Sequence, residues 1–181
     1  MASQQEVTRM QPLPVMRWDH RPESDVWTRA TLAAVQAHGG GLVSTVPDDI
    51  AAWCPGYETA SEADRAAFWV GLFSTLAKYE STWNPKASGG GGKWIGLTQI
   101  DPRTARGYGC VAQSADALKD GAANLSCAVR IAAVQVAKDD ALISNASGSW
   151  RGVARDWAPF RSTAKREDMA AWTRSQSYCK G

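Results

Sequence analysis

Residues 77–110 read AKYESTWNPKASGGGGKWIGLTQIDPRTARGYGC, and the rest of the chain is organised around them. The stretch opens as the last turn of an amphipathic helix, presents Glu80-Ser81, and runs through a glycine loop from Gly89 to Gly92. A short apolar segment follows, ending in Gln99, and the chain turns at Asp101-Pro102 into a further helix, with Asp101 as N-cap and Pro at the first helical position. The leading helix traces back to Ser61, whose hydroxyl is placed to cap it, with Glu62 and Asp64 in the first turn where carboxylates suit the positive end of the dipole. Ala66, Val70, Phe73, Ala77 and Glu80 fall at helical steps, so Glu80 continues a core-facing stripe. Partial desolvation and the negative helix end both disfavour its carboxylate, so its pKa is expected to rise. A carboxyl kept protonated near neutral pH is what a glycosidic general acid must be. The competing structural role for such an acid is to cap a loop amide or to pair with Lys78 or Lys86.

The linked elements Glu80-Ser81, Asn84-Pro85, Ala87-Ser88, Gly96-Leu97-Thr98-Gln99-Ile100 and Pro102-Arg103-Thr104-Ala105 occur in that order. In this the stretch resembles the lysozyme-like soluble lytic transglycosylases of bacteria and their phages, with Thr98 in place of the usual Met, a change expected to alter packing and not chemistry. The resemblance implies a mainly α, lysozyme-like single domain with a short β-like or loop segment lining the cleft. It makes Glu80 the catalytic acid and base and gives Ser81 and Gln99 to the acetamido-sugar substrate. Asn124-Leu125-Ser126-Cys127-Ala128 echoes the family's second motif, with Ala in the Gly place, and adds Asn124 to the substrate-binding candidates. The third motif, an Ala-Tyr-Asn-Ala-Gly run whose Tyr steadies the catalytic acid, has no match; residues 146–157 stand in its place with Trp150 and Trp157. The motif core spans residues 61–135.

The mechanism so implied is cleavage of the bond between N-acetylmuramic acid and N-acetylglucosamine with closure of a 1,6-anhydro ring. No cofactor and no metal is called for. Asp101 is a candidate second acid, because goose-type lysozymes carry an Asp after the matching motif; its plainer role is the helix N-cap. A hydrolytic muramidase using Glu80 and Asp101, or a lysozyme-like glycan-binding protein without turnover, are the alternatives. Among nine tryptophans, most are expected in the core. Trp83 and Trp94 flank the Glu80 loop and are candidates to stack on sugar, with Trp157 a weaker third.

At 181 residues the chain has the length of one domain, able to bury roughly 70% of the surface its unfolded form exposes. Residues 1–24 read as a polar, proline-bearing arm on the surface or disordered, and residues 25–181 as the catalytic domain. Asp25 to His38 is expected to be a helix facing inward through Val26, Ala30, Ala33 or Ala34, and Ala37, stopped by Gly39-Gly40-Gly41. Asp48 to Trp53 is expected to form one short helical turn, 114–138 a long buried helix, and 147–157 and 166–177 the remaining α structure. The net charge is +2, and residues 130–181 carry nine basic against five acidic side chains. This basic face suits an anionic polymer such as the cell envelope, or is an ordinary solvated surface. Nucleic acid would require a denser cluster and a recognisable module. Cys54, Cys110, Cys127 and Cys179 lack the short paired spacing of a zinc site. Two disulfides are the preferred reading over four buried thiols, with Cys110 to Cys127 and Cys54 to Cys179 favoured among the pairings. Residues 1–20 hold no apolar run of signal-peptide type, and nothing is long enough to span a membrane. The expectation is a monomer acting on peptidoglycan strands in the periplasm or cell wall, reached through a holin-type lesion as phage endolysins do, or by way of a removed leader.

Overall fold

A computed structural model of the chain describes residues 12–180. The first long helix, α1, runs Ser24–His38 and ends at Gly39. Its buried face is Ser24, Trp27, Thr28, Thr31, Ala34 and Val35, while Val26 is exposed. The alanine stripe expected to face inward is therefore about one position off. The inward threonines are tolerated because they are bonded: Thr31 Oγ1 donates to the Trp27 carbonyl at 2.7 Å, and Thr28 Oγ1 accepts from the Trp18 indole at 2.9 Å. Beyond Gly39 the helical chain resumes as α2, Gly40–Ser44, so only the first of the three glycines interrupts it. The expected turn near residue 50 is a 3-10 helix, Ile50–Ala52.

The central helix α3, Glu62–Ser81, is capped by the Ser61 hydroxyl, which accepts from the Asp64 amide. From Ala67 to Ala77 every residue is buried, as expected for a helix surrounded by packing on all sides. At its C-terminal end Thr82 and Trp83 both take the left-handed conformation, and the chain turns sharply away. A hairpin follows, with β1 (Ser88–Gly89) paired to β2 (Trp94–Ile95), and then α4, Pro102–Gly107. These two-residue strands are the β-like segment expected beside the cleft.

The helix expected over residues 114–138 is divided. Ala115–Leu118 forms α5, and Asp120 caps a new helix, α6, Gly121–Asp139. The division has a packing cause: a Cβ on Gly121 would sit 2.2 Å from the Trp27 indole nitrogen, so the helix starts where α1 presses on it. Residues 147–157, expected to be helical, instead carry strand β4 (Arg151–Gly152), paired to β3 (Ile143–Ser144), and a 3-10 turn Val153–Arg155. Asp139 imposes this course. Its buried carboxylate accepts from the Gly152 amide at 2.6 Å and from Arg155 at 2.8 and 2.9 Å. The last helix, α7, is Thr163–Arg174.

The N-terminal arm also needs correction. Residues 1–11 lie outside the described residues, but Met16 and Trp18 are core residues, and the Tyr178 hydroxyl donates to the Val15 carbonyl at 2.9 Å. Sequence polarity hid two large apolar anchors among prolines and charges. Disulfides join Cys110 to Cys127 and Cys54 to Cys179, the favoured pairing. No helix among the described residues is long and apolar enough to cross a membrane.

Candidate active site

Glu80 lies one residue from the end of α3, above Phe73 and Ala77 on the buried stripe. Burial pushes its carboxyl up to about 7, with a smaller opposing pull from the Lys165 ammonium. Neither competing structural role is realised. Lys78 pairs with Asp168 instead, Lys86 forms no ion pair, and Glu80 accepts no hydrogen bond among the described residues. A desolvated carboxyl without a hydrogen-bonded partner is held in the protonated form and keeps its proton available.

The residues following Glu80 bring the second wall against it. Ser81 Oγ donates to the Leu97 carbonyl at 2.8 Å, tying the helix end to the Gly96–Ile100 loop. This loop turns on two left-handed residues, Gly96 and Gln99. Gln99 is held in that sparsely populated conformation while its side-chain nitrogen donates to the Ala87 and Gly96 carbonyls at 3.2 and 3.0 Å. Its side-chain oxygen rests on Gly89, where an added Cβ would lie 2.6 Å away. The hairpin and the Gln99 loop are thus fitted to each other through one side chain.

Asn124, expected at the substrate, is fully buried and faces the loop from behind. Its oxygen accepts from the Thr98 amide and hydroxyl, and its nitrogen donates to the Ile95 and Leu118 carbonyls at 2.9 and 3.0 Å. Every hydrogen-bonding group of the amide is used inside the protein, so it positions the loop and cannot reach a sugar. Thr98 consequently does more than fill the place of Met, because its hydroxyl extends this buried network. Trp157 is likewise only 2% exposed and donates to the Thr98 carbonyl at 3.0 Å, which makes it a loop support and not a free stacking surface.

The other two tryptophans differ. Trp83 is half-buried, donates to the Ser74 carbonyl at 2.9 Å and meets His20 edge-on. Trp94 is 44% exposed, with its ring seated on Gly90 and Lys93 5.2 Å from the ring centroid. Trp94 is therefore the better placed of the two to meet a ligand.

Asp101 caps α4 by accepting from the Arg103 amide at 2.8 Å and pairs with the Arg103 guanidinium at 3.0 Å. The hydrogen bond from Arg103 holds its carboxyl below the usual range. Across a recess of about 50 Å³ lined by Trp94, Gln99, Asp101 and Trp157 stands Asp156, which the sequence reading missed. Gln135 donates to it at 2.9 Å and to the Tyr108 hydroxyl at 2.7 Å, and desolvation raises its carboxyl. No sequence signal marks it, since its place depends on the Asp139 clasp. A larger concavity of about 920 Å³ lies between Pro12–Pro14, α1 and the first turns of α3. It ends at Ala67, thirteen residues before Glu80, or roughly 20 Å along the helix.

Residues 59–144 match the family model described as transglycosylase SLT domain. By this match the segment is similar to SLT transglycosylase domains. It takes in α3, the hairpin, the Gln99 loop and α6, and it stops at Ser144, before Asp156, Trp157 and Lys165. Among solved structures, a Glu-to-Gln mutant of Bd0314 DslA is similar at 27% identity, with a TM-score of 0.85, covering 94% of this chain and 100% of that one. Wild-type Bd0314 DslA, form 2, is similar at 26% identity and a TM-score of 0.84 over the same shares. No curated protein matches the chain. The similarity to these structures extends well beyond the SLT segment, so the lysozyme-like architecture spans nearly the whole chain. All four tyrosines have partners other than Glu80: Tyr57 bonds Leu42, Tyr79 bonds Asp168, Tyr108 bonds Gln135 and Tyr178 bonds Val15. The tyrosine that the third motif would have supplied is not replaced from elsewhere.

Proposed function

We propose that this protein is a peptidoglycan lytic transglycosylase in which Glu80 is the single catalytic carboxyl. The observation that carries the reading is the state of Glu80: desolvated, unpaired among the described residues, titrating near 7 and set beside the Ser81–Leu97 tie. In the first step the protonated carboxyl gives its proton to the glycosidic oxygen between N-acetylmuramic acid and N-acetylglucosamine, and the C–O bond to the muramyl anomeric carbon breaks. In the second, the Glu80 carboxylate takes the proton of the muramyl 6-hydroxyl as that oxygen bonds to the anomeric carbon. The enzyme ends protonated as it began, and no water is consumed.

Supporting this over hydrolysis, Asp101 is committed to Arg103 and to the start of α4. A base that activates water needs a free, correctly aimed lone pair and a pKa raised towards the working pH, and Asp101 is shifted the other way. Binding without turnover is disfavoured because a glycan-binding surface has no use for a desolvated acid. Gln99, Ser81 and Trp94 form the adjoining substrate wall in this reading, with Trp83 at its margin. Two disulfides support work in an oxidising compartment such as the periplasm or cell wall, the setting of an endolysin.

The deciding experiment is mass spectrometry of the fragments released from intact peptidoglycan sacculi. Anhydro-muramyl ends, lighter by one water than their hydrolysed counterparts, are expected. Reducing muramic ends would assign a hydrolase, and no release would assign a binding protein.

A further inference from the structure

Tyr79, the residue before Glu80, carries two ammonium groups on its ring. Lys78 Nζ lies 5.2 Å and Lys165 Nζ 5.5 Å from the ring centroid. The Tyr79 hydroxyl donates to Asp168, which also accepts from Arg17 at 2.8 and 3.3 Å and lies 3.8 Å from Lys78. One carboxylate therefore serves two bases and a phenolic hydroxyl. Arg17 takes it in forked geometry, Lys78 shares its edge, and Lys165 makes no ion pair among the described residues. Lys165 is exposed at the start of α7, outside the SLT segment, and its charge reaches both Tyr79 and Glu80. Contact with an aromatic face restrains an otherwise mobile ammonium in advance and leaves its outward N–H groups free to donate.

While the peptide occupies the lactyl group as an amide, the hexosamine backbone is neutral and offers such a pair nothing to bind. In peptidoglycan the negative charge sits on the peptide, which is attached to the lactyl group of the muramyl residue and ends in free carboxylates. Glu80 must address the bond at that same residue, so its peptide has to leave the cleft past one flank of Glu80. Resting on the peptidoglycan reading above, we propose that Lys78 and Lys165, held on Tyr79, bind a carboxylate of this peptide and make peptide-bearing strands, not denuded glycan, the preferred substrate.

The test measures binding to the full chain carrying Glu80→Gln, which removes cleavage and any effect of Lys165 on the catalytic proton. The probes are a soluble tetrasaccharide fragment with its peptides and the same fragment after an amidase has removed them and the lactyl carboxylates so exposed have been capped as methylamides, titrated by calorimetry. Lys165→Met touches no ion pair among the described residues and should keep the fold; the double change with Lys78→Met should weaken binding of the peptide-bearing fragment about 5- to 10-fold. Binding of the denuded fragment should not change, Lys165→Arg should retain the preference, and the preference should shrink as salt rises. Equal weakening for both fragments, or none for either, overturns the proposal. Because these arms read binding, failure of the wild-type protein to cleave sacculi would strike the functional reading separately.

Discussion

The side-chain oxygen of Asn124 accepts from both the amide and the hydroxyl of Thr98, at 3.0 and 2.6 Å, although 26 positions separate them. The same amide closes on Ile95 and Leu118, so one buried side chain fixes the loop that presents Gln99. Asn124→Leu keeps the volume but strands the Thr98 amide and the Leu118 carbonyl, while the Ile95 carbonyl keeps only the Ile100 amide. The expected cost is about 2–4 kcal/mol, since each buried unsatisfied group costs about 1–3 kcal/mol and the site relaxes in part. Thr98→Val removes one hydroxyl and should cost about 1 kcal/mol. Urea unfolding of both variants checks the order, and an Asn124→Leu protein as stable as wild type would show that the network is dispensable.

This loop also marks where sequence reasoning reached and where it stopped. The Ser61 cap, the inward course of Glu80 and the N-cap at Asp101 were legible, because each rests on local spacing or on a known motif; among three open cysteine pairings the favoured one followed from the short Cys110–Cys127 loop, with Cys54–Cys179 as the remainder. Asn124 was placed correctly in its motif but given the wrong target, since a side chain that bonds across 26 to 29 positions leaves no local trace. The inward face of α1 was misjudged because Thr28 and Thr31 count as polar, while in the fold their hydroxyls are bonded within the core. Residues 147–157 have a helix-compatible composition, yet the buried Asp139 carboxylate recruits Gly152 and Arg155 and prevents a helix there. Asp156 was invisible for the same reason.

Glu80 links activity and stability through one proton. Its carboxyl titrates near 7 in the fold against an ordinary value of 4.5. Between those values the folded state binds more protons than the unfolded one, so this group lowers stability as pH rises through the window. Glu80→Gln removes the ionisation and should be more stable than wild type by about 1–3 kcal/mol at pH 8, with the advantage disappearing near pH 4. Cleavage should fall about 10²–10⁴-fold or more, and the wild-type rate should decline as pH passes 7 and the acid form is lost. Thermal unfolding at the two pH values checks the first outcome, and a stability gap independent of pH would place the raised pKa in doubt.

Gly89 meets Gln99 too closely to accept a side chain unless the Gln99 amide moves. Its Cβ would fall 2.6 Å from Gln99 Oε1, the far end of a flexible side chain, so Gly89→Ala should be accommodated by displacing that amide and not by unfolding. We expect a stability loss near 1 kcal/mol and a drop in turnover of about 10-fold or more, because misplacing a positioning group by about 1 Å is costly to rate. Gly91→Ala, with open space around its Cβ but left-handed backbone, is the control: it should strain the loop without moving Gln99. Comparing rates on sacculi for the two variants separates loss of Gln99 geometry from loss of loop conformation.

The two disulfides close loops of very different length. Cys54 and Cys179 are 125 positions apart, and Cys110 and Cys127 are 17 apart. On loop entropy alone the first contributes about 5 kcal/mol and the second about 3 kcal/mol. The shorter bridge, however, joins the segment after α4 to α6, the helix that carries Asn124. Replacing Cys110 and Cys127 by Ala should therefore reduce turnover as well as stability, whereas replacing Cys54 and Cys179 should reduce stability more and the rate of folded protein less. Urea titration with a parallel lysis assay tests this opposition, and equal effects on rate would remove the link from α6 to the loop.

Asp101→Asn distinguishes the two ways of cutting the same bond. Asn caps a helix about as well as Asp, so the Arg103 amide keeps its acceptor and the fold should lose less than about 1 kcal/mol. What disappears is the charge, and with it the pair to Arg103, which is exposed and contributes little. If Glu80 alone performs both proton transfers, turnover should stay within about twofold, a change of roughly 0.4 kcal/mol in barrier. A hydrolase that relied on Asp101 to activate water would instead lose about 10²–10⁴-fold. The product analysis should agree: anhydro ends from both wild type and variant. A variant that folds normally yet stops cutting would make Asp101 a catalytic base despite its ties to Arg103, and the ring-closing mechanism would have to be given up.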